Sequence, residues 1–398
     1  MNQMMKLQAQ SSKALHTALC KASKCIASKN SLSILDNVLL TCKGENDFYF
    51  VSASSSSQLT IPAPLTLFEG TFEAPVALPI KTFIPFLATL PDCTISMSFD
   101  KNSSTIALTY CTDSNGNTKE GKASIPFFDG TEFPKLVEPK DDTTKLVLPF
   151  PFLNEVLTHS ANFTAKTVLR PVLTCLCMDV SEDRSSLNLV AADGQCLIRT
   201  TYSNDPAHGG SEFFKGGKPG RFLFPQEFFR TMSVFDCCDV VEIESDIRTL
   251  KFTANDIEFV CKSMDIRYPN YASIIPQGSP YFISFNKKEM LEIIKRVSIF
   301  GDKKQNRLVL TKNGMFLDVS AQDVDFSTAA DDQVFIVDSQ CDEQFRIGVN
   351  VGRIEDSLNA IDSDNVRMQL SAPDRAILIT ADDPAPKVLT LCMPMLFD

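Results

Sequence analysis

The residue types that perform catalysis or bind metals are present in this sequence, but they are not spaced as such sites require. The 398 residues include 13 cysteines and three histidines, His16, His159 and His208. No two cysteines have the Cys-x-x-Cys spacing of zinc and redox motifs, and the histidines are far apart in the chain. We therefore expect no metal site, no cofactor, and reduced cysteines that are mostly buried as small apolar side chains.

Two enzymatic alternatives use residues that are present. One is a nucleophilic cysteine paired with His159, and the other is a catalytic carboxylate at Asp193. The sequence has no nucleophile elbow, no glycine-rich phosphate loop and no His/carboxylate metal spacing. Because Asp193-Gly194 is a dipeptide typical of tight hairpin turns, we predict a turn there, no catalytic residues and a protein that is not an enzyme.

Positive charge is concentrated in two segments of an acidic protein. The formal net charge is −11, which argues against a protein that coats nucleic acid over its whole surface. Residues 1–35 nevertheless contain five lysines and no acidic residue, and residues 285–307 carry seven basic side chains against three acidic ones. Such clusters indicate a phosphate-facing surface, whereas the alternative for each lysine on its own is an ordinary solvated position.

The C-terminal segment, residues 389–398, is apolar where a chain end is normally polar. Pro394 stands between Met393 and Met395. We expect this segment to be docked as a last strand, and its flexible methionines to offer a surface to other proteins. No window has the length and hydropathy of a membrane span, and no signal-type apolar core follows Met1, so we expect a soluble, cytoplasmic protein without a membrane partner.

The same order of helices and strands is expected three times. In the first copy we predict an amphipathic helix within residues 5–28 that is preceded by a short strand or turn, strands at 34–41, 48–52, 58–61, 94–99 and 105–110, and a helix at 80–90. In the second we predict strands at 145–148, 173–180, 187–191, 195–202, 221–224, 240–244 and 249–254, and helices at 151–161 and 226–235. In the third we predict helices at 287–300 and 352–361, and strands at 307–311, 315–320, 323–329, 344–349, 366–370 and 376–380.

Corresponding elements of the three copies lie about 125–145 residues apart, which indicates an internal repeat. We predict an α+β chain of three domains, 1–138 (N-terminal), 143–276 (central) and 281–398 (C-terminal). In each domain two helices cover one face of an antiparallel sheet. The alternative is three unrelated α+β domains that share this order by chance.

Four segments resemble the bacterial DNA polymerase III beta subunit family, the DNA sliding clamps. They are residues 30–40 (NSLSILDNVLL), 191–197 (AADGQCL), 268–276 (YPNYASIIP), and 365–368 (NVRM) with the terminal Met-Pro-Met. Together they extend over nearly the whole chain.

The resemblance implies a fold, a function and a set of partners. The expected fold is three DNA-clamp domains per subunit, with antiparallel sheets outside and two helices per domain inside a homodimeric ring. Such a ring encircles duplex DNA without sequence preference and acts as a non-catalytic processivity factor in the nucleoid-associated cytoplasm. Expected partners are the DNA polymerase III alpha subunit, the clamp loader and other proteins with clamp-binding motifs. The alternative, a β-rich interaction scaffold that does not act on DNA, leaves the acid-free lysine segment unexplained.

The resemblance also implies site residues. The expected DNA-facing residues are Lys6, Lys13, Lys21, Lys24, Lys29, Lys166, Arg170, Lys288, Lys295 and Arg296. The expected partner-binding residues are Leu173, Ala192, Gly194, Gln195, Cys196, Leu197, Pro276, Ala376, Leu391, Met393, Pro394 and Met395. Leu173 and Leu197 are open to the alternative of ordinary core positions.

Three partner-binding positions depart from the family pattern. Relatives often carry Thr, His and Arg where this chain has Ala192, Gln195 and Cys196, so we expect fewer polar contacts with a bound peptide. For the dimer interface, the family pattern points to Ile299 and Phe300, an apolar pair that follows a helix whose core-facing positions are already apolar.

Overall fold

The computed structural model describes residues 5–114, 117–140, 143–167, 169–205, 211–341 and 345–396. His208, part of the predicted linker (Asp141 and Asp142) and the last two residues, Phe397 and Asp398, lie outside these ranges. Within the described ranges, no helix combines the length and the apolar character needed to cross a membrane.

The first third of the chain follows the predicted order with local differences. Its elements are β1 (Met5–Ala9), α1 (Ser12–Ser23), β2 (Val38–Cys42), β3 (Phe48–Ala53), β4 (Ser57–Pro62), β5 (Thr66–Glu69), β6 (Val76–Leu78), α2 (Ile80–Ala88), β7 (Ile95–Asp100), β8 (Thr105–Ser114), β9 (Asn117–Pro126) and β10 (Phe128–Asp129). Leu7 lies in β1 and Ile26 lies beyond α1, so the helix predicted within 5–28 is confirmed only for its middle part. Residues 33–36 form a 3₁₀ helix instead of a strand, because the Asn37 N–H donates to the Ile34 carbonyl at 3.1 Å.

The second third has the predicted elements and two more strands. They are β11 (Thr144–Pro149), α3 (Phe150–Phe163), β12 (Cys175–Val180), β13 (Ser186–Ala192), β14 (Cys196–Ser203), β15 (Phe214–Gly216), β16 (Arg221–Pro225), β17 (Val240–Ser245), β18 (Thr249–Ala254) and β19 (Ile257–Lys262). The helix predicted at 226–235 is a 3₁₀ helix, and a 3₁₀ helix at Pro171–Thr174 delays the strand predicted from residue 173. The fixed φ of Pro171 suits the first turn of a helix. Strands β15 and β19 are absent from the prediction.

The last third contains β20 (Tyr281–Asn286), α4 (Lys287–Val297), β21 (Arg307–Asn313), β22 (Phe316–Asp323), β23 (Thr328–Gln340), β24 (Arg346–Asn350), α5 (Val351–Asn359), β25 (Asn365–Leu370), β26 (Ile377–Ala381) and β27 (Val388–Cys392). The strand predicted at 323–329 is wrong. Its alternating apolar residues, Val324 and Phe326, lie in the turn between β22 and β23. The Asp323 carboxylate accepts the Phe326 N–H at 3.2 Å and Ser327 has a φ of +54°, which favours a turn over a strand.

Helices begin directly after strands at several places because a polar side chain caps the first turn. Asn286 ends β20 and accepts the Glu289 N–H at 3.0 Å, and Asn350 ends β24 and accepts the Arg353 N–H at 3.3 Å. Ser11 caps α1 in the same way by accepting from Ala14. Each cap satisfies an N–H that has no partner within the helix.

The chain forms two compact units. Unit 1 comprises Met1–Pro151, Lys215–Lys218 and Arg230–Ser263, and unit 2 comprises Phe152–Phe214, Pro219–Phe229 and Met264–Asp398. Strands of the predicted central domain belong to both units, and the three predicted domain boundaries stay a prediction.

Unit 1 contains two antiparallel sheets. One has the order β5-β1-β7-β8-β9, and the other runs β10-β6-β2-β3-β4-β19-β18-β17-β11-β15. Strand β4 of the first predicted copy pairs with β19 of the second, with Leu59 opposite Phe259. Helix α1 buries Leu15 and Leu19, and the buried Ser52 hydroxyl of β3 donates to the Ala22 carbonyl of this helix.

Unit 2 contains a sheet of twelve strands in the order β16-β12-β13-β14-β27-β26-β25-β20-β23-β22-β21-β24. Strand β27 lies between β26 and β14, so it joins the strands of the second and third predicted copies. Helices α4 and α5 bury Met290, Ile294 and Leu358 in one core with strands of this sheet. These antiparallel sheets with few helices confirm the predicted α+β class and fit the clamp-domain architecture.

Candidate functional site

Five of the residues predicted to bind partner proteins belong to one apolar cluster in unit 2. Leu173, Leu197 and Leu391 are buried in this cluster, and Ala192 and Ala376 pack partly buried against it. They come from a 3₁₀ helix, from β13 and β14, from the residue just before β26 and from β27. The fold thus brings together residues that are more than 200 positions apart in sequence.

The cluster also contains residues that the sequence analysis did not assign to the site. Tyr268, Tyr271 and Ile275 are buried in it. The Tyr271 hydroxyl donates to Asp179 at 2.8 Å, and burial, followed by this hydrogen bond to a carboxylate, raises the pKa of Tyr271. The sequence contained a sign of their importance, because all three residues lie in the YPNYASIIP segment that resembles the clamp family.

The exposed part of the site is the C-terminal segment and the turn beside it. Leu173 and Leu197 are 6% and 3% exposed, so in the free chain both are core residues with little surface for a partner. Met393 is 42% exposed, Gly194 and Gln195 are also exposed, and Pro276, Pro394 and Met395 are half-buried. Cys196 is buried against Cys392 and offers almost no surface.

The turn between β13 and β14 is held by one carboxylate. Asp193 accepts the backbone N–H groups of Gln195 and Cys196, each at 2.8 Å. Gly194 has a φ of +96°, a backbone angle that residues other than glycine rarely adopt. A Cβ at this position would lie 3.4 Å from the Arg170 guanidinium. The predicted Asp-Gly turn is confirmed, and Arg170, predicted to face DNA, lies beside it.

Arg353, at the start of α5, joins this turn through an ion pair. Its guanidinium lies 2.5 Å from the second carboxylate oxygen of Asp193, and both side chains are largely buried. Burial lowers the pKa of Arg353, but hydrogen bonds with Asp193 and Cys196 outweigh that effect and leave the pKa raised. Because the Asp193 carboxylate is engaged by the turn and by Arg353, it is not free to act as a catalytic base.

The C-terminal segment is docked by backbone hydrogen bonds. The Met393 N–H donates to the Gln195 carbonyl and the Met395 N–H donates to the Gly348 carbonyl, each at 2.8 Å. Pro394, between them, has no N–H to satisfy. The expectation that an apolar end must be docked is therefore confirmed as far as Met395, whereas Leu396 is 78% exposed.

A polar cavity of about 420 Å³ adjoins the turn, and its lining includes Asn162, Lys166, Asp193, Asn350, Arg353 and Asp356. Asn162 donates to Asp356 at 2.9 Å, and burial raises the pKa of Asp356. Lys166, predicted to face DNA, lines this cavity. The arrangement offers charged and amide groups beside the apolar cluster.

The lysines of the first copy are divided between a helix and its surroundings. Lys13 and Lys21 on α1, and Lys24 at its end, project within an arc of roughly 80° on the side away from Leu15 and Leu19. Lys13, Lys24 and Lys29 are exposed. Lys6 lies in β1 instead, where it forms an ion pair with Glu69, so it is not part of the helical stripe.

The basic residues of the third copy lie on α4. Lys288 and Lys295 are exposed and about two helical turns apart, which places them on one face. Arg296 forms an ion pair with Asp332 at 2.7 Å. Its charge is therefore partly neutralised within the chain.

The pair predicted to form the dimer interface is exposed. Ile299 and Phe300 follow α4 in a short 3₁₀ helix and are 66% and 44% exposed. Val324 and Phe326, in the turn before β23, are also exposed, and the Thr328 hydroxyl after this turn donates to the Phe300 carbonyl at 3.0 Å. The exposure of Val324 and Phe326 was not predicted, because the strand expected at 323–329 included both residues.

A family model and curated proteins match this chain. Residues 272–396 match the model of the DNA polymerase III beta subunit, C-terminal domain. The chain is 27% identical over 384 residues to the beta sliding clamp of Synechocystis sp., a similarity that covers 92% of this chain and 93% of that protein. It is 22% identical over 367 residues to the beta sliding clamp of Bacillus subtilis, covering 89% and 90%.

Solved structures share the fold. The DNA polymerase sliding clamp of Pseudomonas aeruginosa superposes with a TM-score of 0.85 at 17% identity, covering 99% of this chain and 100% of that one. The sliding clamp of Bacillus subtilis gives a TM-score of 0.85 at 18% identity over 99% and 100%. The sliding clamp of Bartonella birtlesii bound to griselimycin gives a TM-score of 0.83 at 19% identity over 99% and 100%.

Proposed function

We propose that this chain is a DNA sliding clamp. The matched C-terminal domain, the relatives and the fold all support a bacterial DNA polymerase III beta subunit. Two copies form a ring around duplex DNA, and the ring tethers the replicative polymerase and other replication and repair proteins. The observation that carries the proposal is the similarity to beta sliding clamps over nearly the whole chain. A shared fold alone would not assign the function.

DNA contact is assigned to exposed lysines and does not depend on sequence. Lysine is a flexible point charge that neutralises phosphates without reading bases, which suits a protein that must slide. The best supported of the ten predicted residues are the exposed Lys13 and Lys24 and the half-buried Lys21, on α1 or directly after it, because their stripe contains no acidic residue. Lys6 and Arg296 contribute less, since Glu69 and Asp332 already neutralise them.

The partner site is the exposed edge of the apolar cluster. A peptide with apolar anchors from the polymerase alpha subunit, the clamp loader or another clamp-binding protein packs against Met393, Pro394 and Met395. Methionine adapts its shape to different ligands, and Gly194 allows a close approach of the peptide backbone. The neighbouring Asp193–Arg353 ion pair fixes the turn on which this surface depends.

The identity of a sliding clamp implies a non-catalytic processivity factor. The protein therefore encircles the DNA and tethers the polymerase, and the polymerase performs the chemistry. Its working location is the nucleoid-associated cytoplasm, where the DNA is. The alternative of a scaffold that does not act on DNA is not favoured.

Retention on DNA tests the function directly. The protein is loaded by a clamp loader onto nicked circular DNA at moderate salt, and the DNA is then linearised. A ring stays on the circle and slides off the linear form, whereas equal loss from both forms would contradict the proposal. The double variant Ile299→Asp/Phe300→Asp is the control, because a subunit that cannot close the ring is lost from both forms.

A further inference from the structure

Two cysteine side chains meet at the place where β27 pairs with β14. Cys196 is the first residue of β14 and Cys392 is the last residue of β27, and the two are directly opposite in the antiparallel register. Their sulfur atoms are 3.5 Å apart, and each residue is 3% exposed. Both thiols are free in the structure.

The position of this pair in the hydrogen-bond ladder suits a disulfide. The neighbouring pair is hydrogen-bonded, since the Met393 N–H donates to the Gln195 carbonyl at 2.8 Å. Hydrogen-bonded and non-hydrogen-bonded pairs alternate along an antiparallel ladder, so Cys196 and Cys392 form a non-hydrogen-bonded pair, in which Cα atoms are about 4.5 Å apart. Disulfides form at Cα separations of about 4.4–6.8 Å. The sulfur atoms need to approach by about 1.5 Å to reach the bonded distance, which small side-chain rotations provide.

We propose that Cys196 and Cys392 are a redox-modification site that forms a reversible cross-strand disulfide and so fastens the end of β27 to the start of β14. The proposal rests on the register, the sulfur separation and the position of the pair at the end of both strands. It does not depend on the proposed function.

The surroundings give the two thiols different roles. A hydrogen bond with Cys392 and the nearby Arg353 guanidinium lower the pKa of Cys196, against the effect of burial. The hydrogen bond with Cys196 and burial raise the pKa of Cys392, whose sulfur also lies 3.2 Å from the Ser357 hydroxyl. Cys196 is therefore the attacking thiolate, and Cys392 is the thiol that resolves the intermediate.

The reaction uses hydrogen peroxide as the oxidant. The Cys196 thiolate attacks one peroxide oxygen, the O–O bond breaks, and a sulfenic acid forms as hydroxide leaves. The Cys392 sulfur then attacks the sulfenic sulfur and its proton leaves with the hydroxide as water. In total, two thiols and one peroxide give one disulfide and two waters. A dithiol reductant reverses the reaction by exchange.

Access to the buried pair comes from its place at the end of the ladder. Gln195 and Met393, the residues just outside the pair, are exposed. The last residues of a strand pair open more easily than its centre, so a small oxidant reaches the sulfur atoms during local opening.

Peptide mapping tests the proposal on the full chain. The exposed thiols are first removed in a Cys111→Ser/Cys237→Ser background, so that links between molecules do not obscure the result. The folded protein is treated with hydrogen peroxide, the remaining thiols are alkylated after denaturation, and the digest is analysed without reduction. We expect the loss of two alkylatable thiols and one linked peptide pair containing Cys196 and Cys392, which dithiothreitol separates.

The matched controls are Cys196→Ser and Cys392→Ser in the same background. Each is expected to abolish the linked peptide pair, and in the Cys392→Ser protein Cys196 is expected to advance to the sulfinic acid. Slower hydrogen exchange of the Met393 amide after oxidation, reversed by dithiothreitol, is a second expected result. The proposal is overturned if both cysteines remain fully alkylatable in folded protein under peroxide that modifies Cys111 and Cys237 in the unsubstituted chain.

Discussion

Arg353 and Asp193 are joined by an ion pair of 2.5 Å although they are 160 positions apart in the sequence. Arg353 lies in the first turn of α5, and Asp193 holds the turn between β13 and β14 through two backbone hydrogen bonds. One carboxylate therefore fixes a turn and also links it to a helix of the third predicted copy. The fixed turn and its link to α5 both influence the position of the surface formed by Gly194, Gln195 and Met393.

Removing this carboxylate is expected to destabilise unit 2. The variant Asp193→Ala leaves two backbone donors without their acceptor and a largely buried guanidinium without its carboxylate, which costs about 2–4 kcal/mol. Asp193→Asn keeps an acceptor for the turn and is expected to cost about half as much. Urea denaturation measures both free energies of unfolding, and equal losses for the two variants would assign the whole effect to the ion pair.

The α1 lysines are expected to set the salt dependence of DNA binding. Each phosphate contact contributes a slope of about −0.9 to the plot of log K against log salt concentration. The triple variant Lys13→Ala/Lys21→Ala/Lys24→Ala therefore weakens binding and reduces the slope by up to about 2.7. Binding is measured at equilibrium, without a clamp loader, by fluorescence anisotropy of a labelled short linear duplex over a salt series.

A second triple variant separates local from global charge. Lys119, Lys122 and Lys135 are exposed and belong to the same unit, but they lie outside the predicted DNA-facing set. Their replacement by alanine changes the net charge by as much as the α1 triple variant does. It is expected to leave the slope of log K against log salt concentration unchanged. A similar decrease in both variants would assign the effect to net charge alone.

Met393 is expected to anchor a partner peptide. Replacing it with glutamate removes an apolar contact of roughly 1.5–3 kcal/mol and places a charge on the surface, so affinity falls by about tenfold to a hundredfold. Fluorescence anisotropy with a labelled clamp-binding peptide of the polymerase alpha subunit measures the change. Leu396→Glu is the control, because Leu396 is also exposed and near the end of the chain but outside the predicted set.

Charged residues at Ile299 and Phe300 are expected to yield monomers. In sedimentation, the unchanged protein should have about twice the 44.0 kDa mass of one chain, and Ile299→Asp/Phe300→Asp should approach the mass of one. Phe326→Asp is expected to weaken the dimer as well, because its turn is linked to Phe300 through Thr328. Leu169→Asp alters an exposed apolar residue outside the predicted interface pair, and a dimer lost in that variant would point to non-specific destabilisation.

The sequence by itself determined most of the local structure. Polar caps such as Asn286 begin helices, alternating apolar residues predict strands, and Asp193-Gly194 forms its turn, because neighbouring residues decide these features. The local pattern failed at 323–329, where a turn carries exposed apolar side chains that resemble a strand. The resemblance supplied the predicted partner-binding residues, and five of them belong to one apolar cluster.

Only the tertiary structure decided which distant residues meet. The sequence indicated that the apolar C-terminal segment must be docked, but its insertion between β26 and β14 depends on long-range strand pairing that no local period encodes. The same pairing places Cys392 against Cys196 and leaves Met393 exposed beside Gln195. Burial and contact between remote side chains result from packing. The ion pair of Arg353, the exposure of Val324 and the contact of the two cysteines could therefore be recognised only in the folded chain.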